Sequence, residues 1–276
     1  MTKHDAIKQH YSMQGLLEKI KAGLALREKT PDNVEPSDLA MVDEFHVRGR
    51  DATLDLFRTL KIKPGDQVLD VGSGLGGPAR VAFNQFAANV TGIDLSDVYT
   101  EVGNELNRWL NISDRIRLIQ GNALDLPFDS ATFDSCYSLH VSMNIEDKAG
   151  LYSGICRVLK PGAKLGIYDI LKSENEELLF PVPWADDNST SFLASPEELG
   201  VLLSNAGFQL ESMEDDSQKC LSWMKRAREK NNKAGGAPPL GLHTILGPSA
   251  PDRVRNLVKN ISAGTARVAQ IIARKV

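Results

Sequence analysis

The chain has 276 residues, 42% of them hydrophobic and 25% charged, and its formal net charge is −4 at pH 7. This composition is typical of a globular protein, and no apolar run reaches the roughly 18 to 20 residues of a membrane-spanning helix. The N-terminal stretch lacks the apolar core of a secretory signal, so we expect a cytoplasmic protein without membrane insertion. A negative net charge does not favour nucleic acid, and Cys136, Cys156 and Cys220 lack the spacing of a zinc site or disulfide framework. We therefore predict neither nucleic acid nor a metal.

The first sixty residues show helical spacing of apolar residues in two segments. The first runs from Leu16 to Leu24, and the second from Leu39 through Phe57, with a proline-containing loop between them. We assign residues 1–60 to an N-terminal helical lid and residues 61–276 to the core.

From Gln67 onward, short apolar runs alternate with amphipathic segments, which is typical of βαβ units. Helices are predicted from Ser195 to Ala206, after a Ser-Pro-Glu-Glu start signal, and near residues 217–230 and 251–261. The last apolar run fits a strand better than a helix because β-branched residues dominate it. The prediction is an α/β, Rossmann-like, mostly parallel seven-stranded sheet flanked by helices, with strands at residues 67–71, 89–94, 116–120, 133–138, 163–169, 208–213 and 268–273.

A glycine-rich turn follows the first predicted strand, in the run VLDVGSGLGGPAR. Glycines at 72, 74, 76 and 77 allow a ligand to approach the backbone closely, at the start of a helix. The pattern Gly72-x-Gly74-x-x-Gly77 also fits a dinucleotide fingerprint, so the turn alone does not distinguish a nicotinamide enzyme from other nucleotide-binding proteins.

Polar residues after neighbouring strands help to distinguish a nicotinamide enzyme from other nucleotide-binding proteins. Asp70 precedes the first glycine, where it can meet a cationic amino group and would repel a pyrophosphate. Asp94 ends the second strand, where a carboxylate can bind a ribose diol. In GNALDLPF, Asn122 can bond an adenine edge, with the Ala123 N–H and the apolar Leu124 beside it, although Asn122 is equally suited to a turn.

These motifs resemble the class I S-adenosylmethionine-dependent methyltransferases, and more narrowly the small-molecule group with sarcosine/dimethylglycine and ubiquinone/tocopherol-type enzymes. The likeness runs from about Tyr11 to the C-terminus and is most specific at VLDVGSGLGG, GIDLS, GNALDLPF, FDSCYSLHVSMNI and RVLKPGAKLGIYDI. Two positions depart from the family: Ala163 replaces a glycine, and Leu139 stands where many relatives have glutamine.

The resemblance implies S-adenosylmethionine as cofactor and a small-molecule methyl acceptor as partner. It places Ser138 and Leu139 against the methionine part of the cofactor, Phe45 and His46 over the same end, and Tyr11 in a lid. Alternatively, Phe45 is a core anchor and His46 a surface residue. The predicted cofactor-binding set is Asp70, Gly72, Ser73, Gly74, Gly76, Asp94, Leu95, Asn122, Ala123, Leu124, Ser138, Leu139, Phe45 and Tyr11.

Methyl transfer requires the acceptor to be held near the methyl group, with water excluded and any acceptor proton removed. Histidine suits proton removal, so His140 and His46 are the candidate catalytic residues, either as bases or as positioning donors. Residues 172–194 and 217–262 are predicted cap elements. Within them, Trp184 could hold a cationic amine, and His243 is either a pocket residue or a plain loop residue.

The leading hypothesis is a methyltransferase for a small acceptor, with an amine such as a glycine derivative favoured and a homodimer as a further expectation. A phenolic, quinone or natural-product acceptor methylated at oxygen or carbon is the alternative. Two hypotheses of other classes are a nicotinamide oxidoreductase and a non-catalytic cofactor-binding protein. The first of these predicts a second, paired βαβ half and a hydride-site couple.

Overall fold

A computed structural model describes residues 15–173 and 177–276. Tyr11 lies outside this part of the chain, so its predicted role in a lid stays a prediction. The helices are α1 (Leu16–Ala25), α2 (Pro36–Asp43), α3 (Arg50–Leu60), α4 (Gly77–Phe86), α5 (Asp97–Trp109), α6 (Lys148–Val158), α7 (Pro196–Asn205), α8 (Ser217–Lys233), α9 (Leu242–Leu246) and α10 (Ala250–Ala263). Short 3₁₀ turns cover Ser142–Asn144, Asn188–Thr190 and Gly247–Ser249.

The strands are β1 (Gln67–Val71), β2 (Asn89–Asp94), β3 (Ile116–Gln120), β4 (Phe133–Leu139), β5 (Leu159–Lys172), β6 (Phe208–Asp215) and β7 (Ala266–Lys275). They form one seven-stranded sheet in the order β3-β2-β1-β4-β5-β7-β6. Strands β1 to β5 are parallel, and β7 runs antiparallel to both β5 and β6. The predicted α/β fold is confirmed, and the final apolar run is a strand.

Helices cover both faces of the sheet because successive strand residues point to opposite sides. On one face, Val68 of β1 belongs to a core cluster with Phe57 of α3. On the other face, Leu69 belongs to a cluster with Leu151 of α6 and Leu199 of α7. Thus α3, which lies within the predicted N-terminal lid or preamble of residues 1–60, packs in a core cluster of the sheet.

The predicted helix signal at residue 195 is present. Ser195 Oγ accepts a hydrogen bond from the Glu198 backbone N–H at 3.1 Å, and the Glu198 carboxylate accepts one from the Ser195 N–H at 2.8 Å. This reciprocal pair is a capping box, with Pro196 at the first helical position.

The predicted helical segment from Leu39 through Phe57 is wrong as a continuous element. It consists of α2 and α3, separated by residues 44–49. Arg48 and Gly49 have φ values of +66° and +47°, which are incompatible with a right-handed helix. The break matters for function because it carries Phe45 and His46.

Candidate functional site

A cavity of about 510 Å³ opens at the carboxyl ends of β1, β2, β3 and β4. This is the edge where open parallel sheets bind ligands, and the volume lies within the range of about 300–1,000 Å³ of small-molecule pockets. Apolar atoms make up most of its lining. The position and size therefore suit a nucleoside-containing cofactor together with a small acceptor.

The glycine turn forms one wall of this cavity. Backbone N–H groups of Gly72 and Ser73 both donate to the Ile93 carbonyl, at 2.8 and 3.1 Å, which joins the turn to β2. Gly72 and Gly74 line the cavity with φ values of +78° and +51°. Gly76 has φ +81° but does not line the cavity, since it caps α4 and packs against Leu118.

Asp94 is held rigidly at the end of β2. One carboxylate oxygen accepts the Gly74 N–H at 2.8 Å, and the other accepts the Ser96 N–H at 2.9 Å. Each oxygen keeps a further lone pair for a ligand hydroxyl group. Asp94 and Leu95 both line the cavity, so the structure brings them to the glycine turn as predicted.

Asp70 is a buried carboxyl group at the cavity wall, only 1% exposed. The Tyr137 hydroxyl donates to its Oδ2 at 2.9 Å. Burial raises the pKa of Asp70 to about 8, with the negative Asp94 as a further cause. A cationic ligand group beside it would favour its ionised form.

The segment after β3 lines the cavity through Asn122, Ala123 and Leu124. Asn122 Oδ1 accepts the Leu124 N–H at 3.0 Å, so the side chain forms the turn that the sequence left as an alternative. This bond orients the Asn122 amide, whose Nδ2 is the group available to a base edge.

Leu139 at the end of β4 lines the cavity, whereas the neighbouring Ser138 is buried and is not part of the lining. Phe45 lies over the glycine turn: a Cβ on Gly74 would come within 3.2 Å of its ring, and its ring centroid is 5.8 Å from that of Tyr99. The structure does not bring His243 to the cavity, because its side chain is exposed while Leu242 and Ile245 of the same helix face inward.

His46 and His140 meet at the cavity, from the α2–α3 break and from the end of β4. Their ring centroids are 6.1 Å apart, and the His140 ring stacks on Tyr168 at 5.7 Å. His140 has φ +56°, and its Nε2 is buried without a hydrogen-bond partner among the described residues. Burial lowers the pKa of His46 to about 4 and that of His140 well below its ordinary value, so both rings are neutral at pH 7. His46 is thus no surface residue.

Sequence reasoning missed a buried ion pair behind the glycine turn. Arg80 donates to Asp43 at 2.9 Å and also to the carbonyls of Leu75 and Gly103, at 2.8 and 2.9 Å. The pair joins the end of α2 to the turn and to α5. No spacing in the sequence links Asp43 to Arg80, which lie 37 residues apart.

Sequence reasoning also missed Glu44 and Thr53, which contact His46 from beneath the cavity. Their signal was available in DEFHVRGRDAT, the segment already singled out for Phe45 and His46.

The cap segments form the wall opposite the glycine turn. Trp184 is 2% exposed, lines the cavity and donates from Nε1 to Ser191 Oγ at 2.9 Å. Its backbone carbonyl accepts from Asn144 Nδ2 at 2.9 Å, and Arg253 of α10 donates to the Val182 carbonyl at 2.8 Å. These bonds hold both cap segments against the core.

Among the acidic and basic side chains of Asp, Glu, Lys and Arg, those that line the cavity are all acidic. Five acidic residues line the cavity, whereas neither lysine nor arginine belongs to the lining within residues 15–173 and 177–276. The acidic residues are Asp43, Asp70, Asp94, Glu146 and Asp147. In the same ranges, no cluster of His, Cys, Asp and Glu is arranged to hold a metal ion. Nor does any helix there combine the length and apolar character needed to cross a membrane.

The fold and this cavity define a class of protein that the comparisons identify independently. Residues 69–167 match the family model described as a methyltransferase domain. These residues therefore resemble a methyltransferase domain, in agreement with the sequence resemblance.

The match to an individual curated relative covers only part of either protein. The chain is 35% identical over 119 residues to the sterol 24-C-methyltransferase of Gibberella zeae, a match that covers 43% of this chain and 31% of that protein. The chain thus spans about a third of the length of this curated relative.

Two solved structures share the fold. Geranyl diphosphate C-methyltransferase from Streptomyces coelicolor superposes with a TM-score of 0.66 at 20% identity, covering 82% of this chain and 80% of that one. Phosphoethanolamine N-methyltransferase 2 of Haemonchus contortus superposes with a TM-score of 0.69 at 21% identity, covering 93% and 60%. At these identities the likeness shows the fold alone, since one fold supports many acceptors.

Proposed function

We propose that this protein transfers a methyl group from S-adenosylmethionine to an apolar small molecule, with carbon as the favoured methylated atom. The observation that carries the proposal is the lining of the cavity, which is mostly apolar and, in the described residues, has carboxylates but no cationic side chain. A neutral apolar acceptor fits that lining best because it needs no ionic partner. The sterol C-methyltransferase relative supports the same choice.

The residues around the glycine turn fit the cofactor. Asp94 would accept the ribose hydroxyl groups and Asp70 the methionine ammonium group, whose positive charge offsets the cost of a buried carboxylate. Asn122, with Ala123 and Leu124, would contact the adenine. When bound, the cofactor supplies an electrophilic methyl group on a positively charged sulfur.

The two histidines are proposed to take the proton that methylation of a carbon–carbon double bond makes acidic. The double bond would donate its electron pair to the methyl carbon while the sulfur–methyl bond breaks and its electrons stay on sulfur, and a proton would leave a neighbouring carbon to restore a double bond. A neutral imidazole accepts such a proton readily, and the low pKa values of His46 and His140 keep both rings neutral at pH 7. Trp184 and the cap are proposed to hold the acceptor and exclude water.

An amine acceptor is the second candidate, favoured by the acidic residues at the cavity, Glu146 and Asp147. A glycine derivative is less well supported because its carboxylate would face these acids without a cationic partner in the described lining. An apolar amine avoids this conflict.

A methyl-transfer assay tests the proposal. The protein is incubated with S-adenosylmethionine carrying a labelled methyl group and one acceptor at a time: an apolar alkene such as an unsaturated sterol, an apolar amine, a quinone and sarcosine. We expect label in the alkene, on carbon by mass spectrometry, and no label in sarcosine.

Methylation of sarcosine alone would overturn the proposed acceptor class. Tight binding of S-adenosylhomocysteine by calorimetry, with no transfer to any acceptor, would support a non-catalytic cofactor-binding protein instead. Binding of NAD in preference to S-adenosylhomocysteine would contradict the cofactor assignment itself.

A further inference from the structure

A buried carboxyl group beneath the cavity has no role in the function proposed above. The Glu44 side chain is 1% exposed and lies in the break between α2 and α3, next to His46. Burying a carboxyl group costs free energy unless the group is hydrogen-bonded. The hydrogen-bond partners of Glu44 therefore indicate its role.

The partner of Glu44 is Thr53 on the first turns of α3. Thr53 Oγ1 donates to Glu44 Oε2 at 2.7 Å and lies 3.0 Å from His46 Nε2. Because the hydroxyl hydrogen is directed to Glu44, the oxygen is left to accept from the imidazole. Glu44, Thr53 and His46 therefore form one hydrogen-bonded chain.

The same imidazole nitrogen has a second contact that fixes its proton. His46 Nε2 lies 2.9 Å from the Gly49 carbonyl oxygen, which can only accept. Nε2 must then carry the hydrogen, and in a neutral ring the lone pair is on Nδ1. The ring lines the cavity, and Nε2 is engaged by Gly49 and Thr53, which leaves Nδ1 free for a ligand.

We propose that Glu44 and Thr53 are positioning residues that hold the His46 proton on Nε2 and thereby make Nδ1 the proton acceptor at the cavity. This rests on the proposed function only for the identity of the proton donor, the methylated acceptor. The carboxyl group also lies 3.5 Å from Nε2, where an ionised Glu44 would stabilise the imidazolium that forms once Nδ1 is protonated.

Charged groups of both signs lie around the hydrogen-bonded chain of Glu44, Thr53 and His46. Asp43 and Asp70 lie near Glu44 as negative groups and Arg50 as a positive one, and Arg48 lies near His46. Burial, with Asp43 as the next cause, raises the pKa of Glu44 to about 8. The support that Glu44 gives to a protonated His46 should therefore increase as the pH rises through about 8.

The direct test is the tautomer of His46 in the intact protein. Nitrogen-15 NMR of histidine-labelled protein distinguishes a protonated Nε2 from a protonated Nδ1, and a His46→Asn variant assigns the signals. We expect the Nε2–H form in the wild type. A wild-type ring protonated on Nδ1 would overturn the proposal, and this outcome does not depend on whether the acceptor class is right.

Two substitutions at Thr53 provide the matched pair. Thr53→Val keeps the shape without the hydroxyl and should lower kcat by about 10- to 100-fold, with cofactor affinity within about twofold. The Gly49 carbonyl should still hold the hydrogen on Nε2 in this variant. Thr53→Ser keeps the hydroxyl and should restore kcat. Glu44→Gln keeps an acceptor for the Thr53 hydroxyl but cannot ionise, so it should flatten the rise of kcat near pH 8.

Asp51→Asn, an exposed carboxylate on the same helix, is the control and should match the wild type. An unchanged kcat in Thr53→Val would contradict the proposal. Equal losses of kcat and cofactor affinity in both Thr53 variants would indicate a merely structural role and would also contradict it.

Discussion

Asp70 and Glu44 bind protons in the folded protein that they would release in the unfolded chain at neutral pH. Burial raises the pKa of each to about 8, whereas the ordinary values are 3.8 and 4.5. Such groups stabilise the fold fully below their unfolded pKa, and this contribution is lost as the pH rises through the folded pKa. Each carboxyl group thus makes the cofactor-free protein less stable in mild alkali.

We therefore predict that the melting temperature of the cofactor-free protein falls between about pH 6 and pH 9. Asp70→Asn should make this fall shallower because the amide does not titrate. Scanning calorimetry across the pH series measures the fall, with Asp51→Asn, at an exposed carboxylate, as control. An equally steep fall in Asp70→Asn would show that Asp70 does not titrate in this range.

The turn between β1 and α4 shows how an element can depend on one glycine. A Cβ on Gly72 would lie 2.2 Å from Val141 Cγ2, and its φ of +78° is unfavourable for any other residue. The close approach joins the glycine turn to the segment after β4, which carries His140. Two walls of the cavity are therefore built against each other at this point.

We predict that Gly72→Ala lowers the affinity for S-adenosylhomocysteine by at least about tenfold, corresponding to about 1.4 kcal/mol, measured by calorimetry. Gly162→Ala is the matched control, since Gly162 has a similar φ of +74° but open space around a Cβ. If both variants bind alike, backbone strain rather than the contact with Val141 is the cause. Val141→Ala should recover part of the loss in the Gly72→Ala background.

Over the whole molecule, the cavity is lined by the sheet edge together with residues of both predicted cap segments, such as Trp184 and Ile245. Arg253 of α10 is 6% exposed and donates to the Val182 carbonyl at 2.8 Å, to Ser249 Oγ at 2.9 Å and to Asp186. It connects the segment that carries Trp184 to the C-terminal part of the chain. We expect binding of the acceptor, rather than binding of the cofactor, to depend on this connection.

We predict that Arg253→Met raises KM for the acceptor by about tenfold, because buried hydrogen bonds to a charged group contribute about 1.5–3 kcal/mol. Cofactor affinity should change little. Steady-state kinetics with each substrate varied in turn measures both, and Arg255→Met, exposed on the same helix, is the control. A rise in the cofactor KM of the same size would contradict a role confined to the cap.

Much of this molecule could be predicted from the local pattern of the chain. Strands β1, β2 and β3 begin and end at the predicted residues, since short apolar runs bounded by turn residues leave little freedom. Asp70 and Asp94 were found as cavity residues because they end neighbouring parallel strands, whose carboxyl ends meet at one edge. Their predicted roles toward the cofactor still await the binding experiments.

Other features depend on contacts that no local pattern encodes. The break between α2 and α3 comes from two left-handed residues, only one of which is glycine. Ser138 and His243 were plausible by position, yet strand and helix geometry directs them away from the cavity. The cavity lining is acidic because acidic residues that are distant in sequence meet there in the folded protein.

By itself, the sequence determined the sheet, the glycine turn and the carboxylates beside it, since period, turn chemistry and strand ends are local properties. Its motifs also predicted the match of residues 69–167 to a methyltransferase domain. Only the tertiary structure decided that Glu44, Thr53 and His46 form one hydrogen-bonded chain, that Arg80 pairs with Asp43, and that the cavity lining is mostly apolar. The reason is physical: burial, hydrogen-bond partners and pKa values arise from neighbours in space, which the order of residues along the chain does not state.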